Sequence, residues 1–354
     1  MFAGTAGQRR AWRGLGLFWA VILFLAGAGA ATLQVLGPPA PVQVAATPAP
    51  PPVPTPVPVA APAAPAVAAL PRPAAAEGRI ASPDPALLEA SRAFPPAMLP
   101  RVAADGRAAR SVYARRFDPA DTRPRIGLIL AGVGLSEADS RAAIDGAPGA
   151  VTLAFSAYAN NQDALMEAAR AHGHEVLASI PMEAQGFPLN DAGVRSLLTG
   201  GDPADNRRNL EWALGRIQGY VGATGASDGL RGERYAELTS GLAQVVEEVG
   251  RRGLLYIDPR PGRAGPMPGG AGPMPGGVPG RAVDLVVDDP PARAEIEGKL
   301  AALERLARER GSALGLAGPL RPVTIERITA WARGLEERGL VLAPVSALVT
   351  AAPR

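Results

Sequence analysis

Few residues with reactive side chains fall just after the apolar runs that read as β-strands. Glu183 follows Ser179-Ile180-Pro181-Met182, Asp258 and Arg260 follow Leu254–Ile257, and Asp288 and Asp289 follow Val287. Carboxylates do general acid–base work when two converge on one bond. An acid–arginine set hydrogen-bonds sugar hydroxyls, because arginine offers a fixed fork of donors. Asp258 and Arg260 are equally able to pair with each other. Other chemistry is excluded by count. The 354 residues include no cysteine, which removes disulfides, thiolate nucleophiles and Cys-ligated metals. The two histidines, His172 and His174, fall where a helix ends and a strand begins, away from the strand C-termini. No converging His/carboxylate metal site and no nucleophile–His pair can be assembled from them. Gly132-Val133-Gly134 lacks the third glycine and the acidic partner of a dinucleotide loop.

The elements that position these residues alternate in type. Ile126–Ala131 is a short apolar run, as expected of a strand covered on both faces. Further strands are expected at Val151–Phe155, Glu175–Ile180, Tyr220–Ala223, Leu254–Asp258, Val283–Val287, Ala313–Ala317 and Leu340–Ala343. Helices are expected after Ser136, over Gln162–His172, from Asp202–Pro203 to Ile217, and over Glu233–Arg252, Pro291–Arg310 and Ile325–Arg338. Ser136 with Asp139 makes a capping-box-like start, and Gly173 a glycine stop. Strands alternating with helices imply parallel βαβ units. The fold class is therefore α/β, with a complete or incomplete β/α barrel as the expected architecture and an open doubly wound sheet as the alternative. In such a barrel, functional groups sit at the strand C-termini.

Ahead of this domain the composition changes. Arg9, Arg10 and Arg13 precede an uncharged run, and the next charged residue is Arg72. Residues 14–37 are long enough to cross about 30 Å of hydrocarbon as a helix. Arginines before the run and none after it place residues 1–13 in the cytoplasm. A single-pass inner-membrane protein with a periplasmic domain is expected, with a cleaved signal peptide as the alternative. Residues 38–83 read as a Pro/Ala-rich spacer and 84–122 as a lead-in to a domain over 123–349. Within it, 259–281 holds AGPMPGG twice in tandem, at Ala264–Gly270 and Ala271–Gly277, and reads as a flexible loop. The net charge of +3 argues against a nucleic-acid partner.

The runs ADGRAARSVYARRFDPADTRPRIGLIL, GHEVLASIPME, GYVGA, GLLYIDPR and LVLAPVSAL resemble, in order over about residues 84–348, the divergent polysaccharide deacetylases of bacterial envelopes. The resemblance implies a carbohydrate-deacetylase-like barrel. It also implies a divalent metal held by an Asp and histidines, with a second Asp as base. Position by position those groups are replaced. The family's Asp-Asp-x-Gly meets Ala131, Gly132, Val133 and Gly134, and its His before Leu-Pro-Met-Glu meets Ser179. Its Asn-Asn-His meets Thr224, Gly225 and Ala226, and its late Gly-His-Pro meets Ala317, Gly318 and Pro319. Methyl, hydrogen and hydroxyl groups neither hold a divalent ion nor lower the pKa of a bound water.

The reading is a catalytically degenerate family member with no catalytic residue, metal or cofactor. It acts by binding an envelope polysaccharide or peptidoglycan glycan, or an envelope protein, through Glu183, Asp258 and Arg260. One alternative is an active hydrolase with a site rebuilt from Glu183, Asp258 and Asp288 without metal. The other is a purely structural protein.

Overall fold

The computed structural model describes residue 19 and residues 78–262 and 274–349. An antiparallel pair, β1 (Leu88–Ala90) and β2 (Met98–Pro100), and a short helix α1 (Ala109–Val112) form the lead-in. The repeating units follow: β3 (Arg125–Val133), α2 (Glu137–Gly146), β4 (Thr152–Phe155), α3 (Gln162–His172), β5 (Val176–Ser179), α4 (Pro203–Leu214) and β6 (Gly222–Thr224). Then come α5 (Glu233–Glu237), α6 (Thr239–Arg251), β7 (Leu255–Asp258), β8 (Gly280–Ala282), β9 (Leu285–Val286) and α7 (Arg293–Arg310). The chain closes with β10 (Ser312–Ala317), α8 (Pro322–Arg333), β11 (Val341–Leu342) and α9 (Val345–Val349). Local signals explain several boundaries. The Ser136 hydroxyl accepts from the Asp139 amide at 3.3 Å and starts α2. The Asp202 carboxylate caps α4 ahead of Pro203. Gly173, at φ 79°, stops α3 in the left-handed conformation.

All strand pairs in the main sheet are parallel, in the order β8-β7-β6-β5-β4-β3-β10-β9, with β11 also against β3. The two ends of that order, β8 and β9, are separated in the chain only by Val283 and Asp284. The Val283 amide donates to the Asp258 carbonyl on β7 at 2.9 Å, and the Asp284 amide to the Leu314 carbonyl on β10 at 2.8 Å. Consecutive amides thus serve both edges, and the sheet curls into a barrel-like form closed along one short segment.

Close approaches show which face points inward. A Cβ on Gly315 would lie 2.6 Å from Leu303 of α7, so Gly315 and its register partner Leu128 face the helices. A Cβ on Gly127 would lie 2.3 Å from Leu348 of α9, which fills the interior from below. Side chains alternate along a strand, so Ile129 and Ala131 face the interior with Gly127. Ala131, Ala154, Leu177, Gly222 and Leu255 share one register row. Ser179, two residues beyond Leu177, therefore also points inward at the C-terminal end of the strands.

The structure departs from expectation in three places. The helix expected over Glu233–Arg252 is broken at extended Leu238 into α5 and α6. The Tyr235 amide of α5 is held by the Glu183 carbonyl at 3.0 Å, a tertiary bond that overrides local propensity. The strand expected over Val283–Val287 shrinks to β9, with β8 just ahead of it, because Val283 bonds to β7 while Asp284 and the residues after it bond to β10. The third correction concerns the membrane. Among the described residues no helix is long and apolar enough to cross one. The expected span, 14–37, lies outside the described residues apart from Trp19. The single-pass inner-membrane assignment is withdrawn on that finding. The spacer over 38–77 and residues 263–273 of the repeat loop also lie outside the described residues. Met274, in the second repeat, packs against the domain core.

Candidate functional site

The positions where the sequence lacks ligating groups come together in space. Ala131 at the end of β3, Ala226 after β6 and Gly318 after β10 line one small void at the barrel mouth, with Val286, Leu316 and Ala317. Its volume is about 10 Å³, room for about one water. Ser179 lies inside the barrel at the end of β5, 1% exposed, and its hydroxyl has no hydrogen-bond partner.

The mouth is filled by a tight turn. Ser227 and Leu230 exchange both backbone hydrogen bonds, at 2.8 and 2.9 Å. The two residues between them, Asp228 at φ 54° and Gly229 at φ 76°, are both left-handed, as a type I′ turn requires and as an Asp-Gly pair favours. A Cβ on Gly132 would lie 2.8 Å from the Asp228 carboxylate, so that carboxylate occupies the space a side chain at position 132 would need. Asp228 remains solvent-exposed and makes no hydrogen bond or ion pair with another described residue. Partial desolvation raises its carboxyl above the usual range, with the Arg321 charge opposing. Around it stand Arg231, paired with Glu233 at 3.0 Å and Asp289 at 3.8 Å, and Arg321, paired with Asp288 at 3.5 Å.

The residues singled out in the sequence have partners of their own. Glu183 is buried. One carboxylate oxygen pairs with Arg234 at 2.8 Å, and the other accepts from the Thr199 amide at 2.7 Å and hydroxyl at 2.8 Å. It thereby ties the excursion after β5 to α5. Asp258 and Arg260 are also buried and pair with each other, at 2.9 Å through Nε and 2.6 Å through Nη2. Arg260 Nη1 is buried without a partner. Asp258 shares its strand face with Tyr256, one residue away from the inward-facing Leu255 and Ile257, so it does not meet Ser179 across the interior. Asp288 accepts from the Gly318 amide and the Thr324 hydroxyl, and burial raises its carboxyl pKa. Glu183→Ala is expected to cost about 1.5–3 kcal/mol, the worth of hydrogen bonds to a buried charged group. Urea denaturation tests this; a stability within about 0.5 kcal/mol of wild type would show that the bonds hold nothing in place.

The sequence places Asp228 and Asp289 after strands without assigning them a role, and gives no pointer to Arg231 and Arg321. Asp228-Gly229 is a legible turn signal. That the turn crosses the barrel is tertiary and has no local signature. The residues present do not fit the metal that the family resemblance implies. Among the described residues no group of three or more His, Asp or Glu side chains is placed to hold an ion. The positions in question, Ala131, Gly132, Ser179, Ala226 and Gly318, carry only methyl, hydrogen and hydroxyl groups.

No curated protein matches the chain. Among solved structures, an uncharacterized protein from Agrobacterium tumefaciens C58 is 34% identical, over 72% of this chain and 100% of that one, with a TM-score of 0.64. The catalytic domain of a peptidoglycan N-acetylglucosamine deacetylase from Eubacterium rectale is 14% identical, over 67% of this chain and 93% of that one, with a TM-score of 0.37. The profile of the divergent polysaccharide deacetylases matches residues 128–349. With most of the barrel inside that match, the chain belongs to the divergent polysaccharide deacetylase family.

Proposed function

We propose that the domain is a catalytically degenerate member of its family that binds glycan at the barrel mouth without hydrolysing it. One observation carries the reading. The mouth keeps a charged rim, Asp228, Arg231 and Arg321, around strand ends that bear Ala131, Gly132, Ser179, Ala226 and Gly318. Carboxylates and guanidinium groups hydrogen-bond sugar hydroxyls, whereas alanine, glycine and serine cannot activate water on a metal. A metal-free hydrolase built on Glu183, Asp258 and Asp288 is disfavoured, because all three carboxylates are already engaged by arginine. Arg260 Nη1 is the one free donor left among the three residues first singled out.

The test uses the full chain and a β-1,4-linked N-acetylglucosamine tetramer, with isolated peptidoglycan strands as a second probe. Calorimetry is expected to show binding, and no acetate is expected to appear with zinc or cobalt added. Asp228→Asn combined with Arg321→Gln should weaken binding about tenfold or more, the cost of losing a charged hydrogen bond. Acetate release, or no binding to either probe, would overturn the reading.

A further inference from the structure

The turn over the mouth has the construction of a moving part. It springs from β6, which lies three strands from β3 one way round the barrel and four from β10 the other. Its tip nevertheless touches both of those strands' ends. Asp228 abuts Gly132 near the end of β3, and a Cβ on Gly229 would lie 3.0 Å from Pro319 after β10. The turn therefore spans the full width of the mouth. Its two backbone hydrogen bonds are internal, so they travel with it. Among the described residues, no backbone hydrogen bond ties 226–231 to another element. Its side-chain tethers are Arg231, on partly exposed Glu233 and exposed Asp289, and the Thr224 hydroxyl, which accepts from the Ala226 amide at 3.2 Å at the root of the turn. Gly225 and Gly232 flank it and can absorb the dihedral change of a hinge. The root of the turn, Ala226 and Ser227, is buried, but its tip, Asp228 and Gly229, is exposed, and segments that share no backbone bonds with their neighbours open at lower free energy than the strands.

At the same end of the barrel, on the strand beside β6, is a group with a use for an opening. The inward-pointing Ser179 hydroxyl is 1% exposed and unpartnered, and a buried polar group left unpaired is costly. Packing alone would be served by alanine there, as it is at Ala178, also 1% exposed.

We propose that residues 225–232 form a hinged lid, and that its opening presents the Ser179 hydroxyl to a ligand entering the barrel mouth. The lid itself is independent of what enters; that the ligand is a glycan rests on the function proposed above.

The chain's lack of cysteine makes a clean test. Ser179→Cys and Ala178→Cys each introduce one buried thiol. Residue 179 points into the barrel at the lid's end; residue 178, on the opposite strand face, lies under the helical layer. Labelling the full-length variants with iodoacetamide in native buffer is expected to modify Cys at 179 at least about 100-fold faster than at 178, as lid opening precedes global unfolding. Equal rates would mean that both thiols are reached only by unfolding, and would overturn the lid. Should either variant fail to fold, amide exchange of Ala226 in the wild type separates the same two outcomes, because its 3.2 Å bond to the Thr224 hydroxyl of β6 breaks when the turn swings away. Exchange faster than at Gly222–Thr224 supports the lid, and equal protection overturns it. These measurements need no sugar, so they stand if glycan binding fails. Where the tetramer binds, it should slow labelling at 179 at least about fivefold. Binding with unchanged labelling would confine the glycan to the rim and overturn the presentation of Ser179.

Discussion

Asp284→Ala is expected to lower stability by about 3–5 kcal/mol, because it takes the carboxylate away from a fully buried guanidinium. Arg281 on β8 is 0% exposed, and its Nη2 lies 2.9 Å from the Asp284 carboxylate. The same carboxylate accepts the Leu314 amide of β10 at 2.7 Å and faces Arg310 at 3.4 Å. Asp284 is thus the residue through which the closing segment between β8 and β9 grips β10. Burial depresses the arginine's pKa, but a guanidinium starts so high that it stays charged. The Ser312 hydroxyl, 3.1 Å from Arg281 Nη1, is a weak substitute for a carboxylate. For a domain of this size the loss should appear as a fall in Tm of about 6–20 °C. Replacing both partners, Arg281→Met with Asp284→Ala, should restore much of the stability, since removing a buried pair together leaves no uncompensated charge. A single variant within about 1 kcal/mol of wild type would show that the seam is held by its backbone bonds alone.

The seam also marks where reading by sequence runs out. The alternation that locates β3, β4, β5, β7 and β10 is a local property, since both-face burial demands continuous apolar runs. The division of Val283–Val287 between two edges is a property of closure, and nothing within five residues encodes it. The mouth divides in the same way. The residue types at Ala131, Gly132, Ser179, Ala226 and Gly318 are legible directly, and their poverty in ligands follows from them. Glu183, Asp258 and Arg260 were legible as polar groups at strand ends. Their partners were not: Arg234 and Thr199 reach Glu183 from separate segments. Which way each side chain turns is settled by strand pleat and helix packing, and those emerge only with the register.

At the opposite end of the barrel, two buried ionisable neighbours should give stability opposing dependences on pH. His174 Nδ1 lies 2.8 Å from the Val151 carbonyl and Nε2 3.0 Å from the Ile144 carbonyl. A neutral imidazole has one N–H, so it can bond only one of them. Protonation would satisfy both. Burial outweighs that gain, with the nearby positive groups His172 and Arg115 acting in the same direction, and the net effect is a pKa below the ordinary 6.5. As pH falls below 6.5 the unfolded chain takes up a proton that the folded ring refuses, so stability is lost on acidification. Glu175, the next residue, behaves oppositely. Burial raises its carboxyl above the ordinary 4.5, against the Ser346 hydroxyl and amide and the Arg115 amide that favour the anion. In the window above 4.5 the folded state holds a proton that the unfolded chain releases, so stability is lost as pH rises. The two slopes offset one another between 4.5 and 6.5 in the wild type. His174→Phe should leave only the glutamate's slope, with stability rising as pH falls. Glu175→Gln should leave only the histidine's, with stability falling. His174→Phe should also cost about 1–3 kcal/mol at neutral pH, for the carbonyl that loses its donor. Urea unfolding of the three proteins across this range decides the matter. Slopes of the same sign in both variants would mean that one of the pair carries the opposite charge state from the one burial dictates. Stability rising on acidification in both would make the doubly bonded imidazolium the native form of His174, and stability falling in both would make Glu175 the native anion.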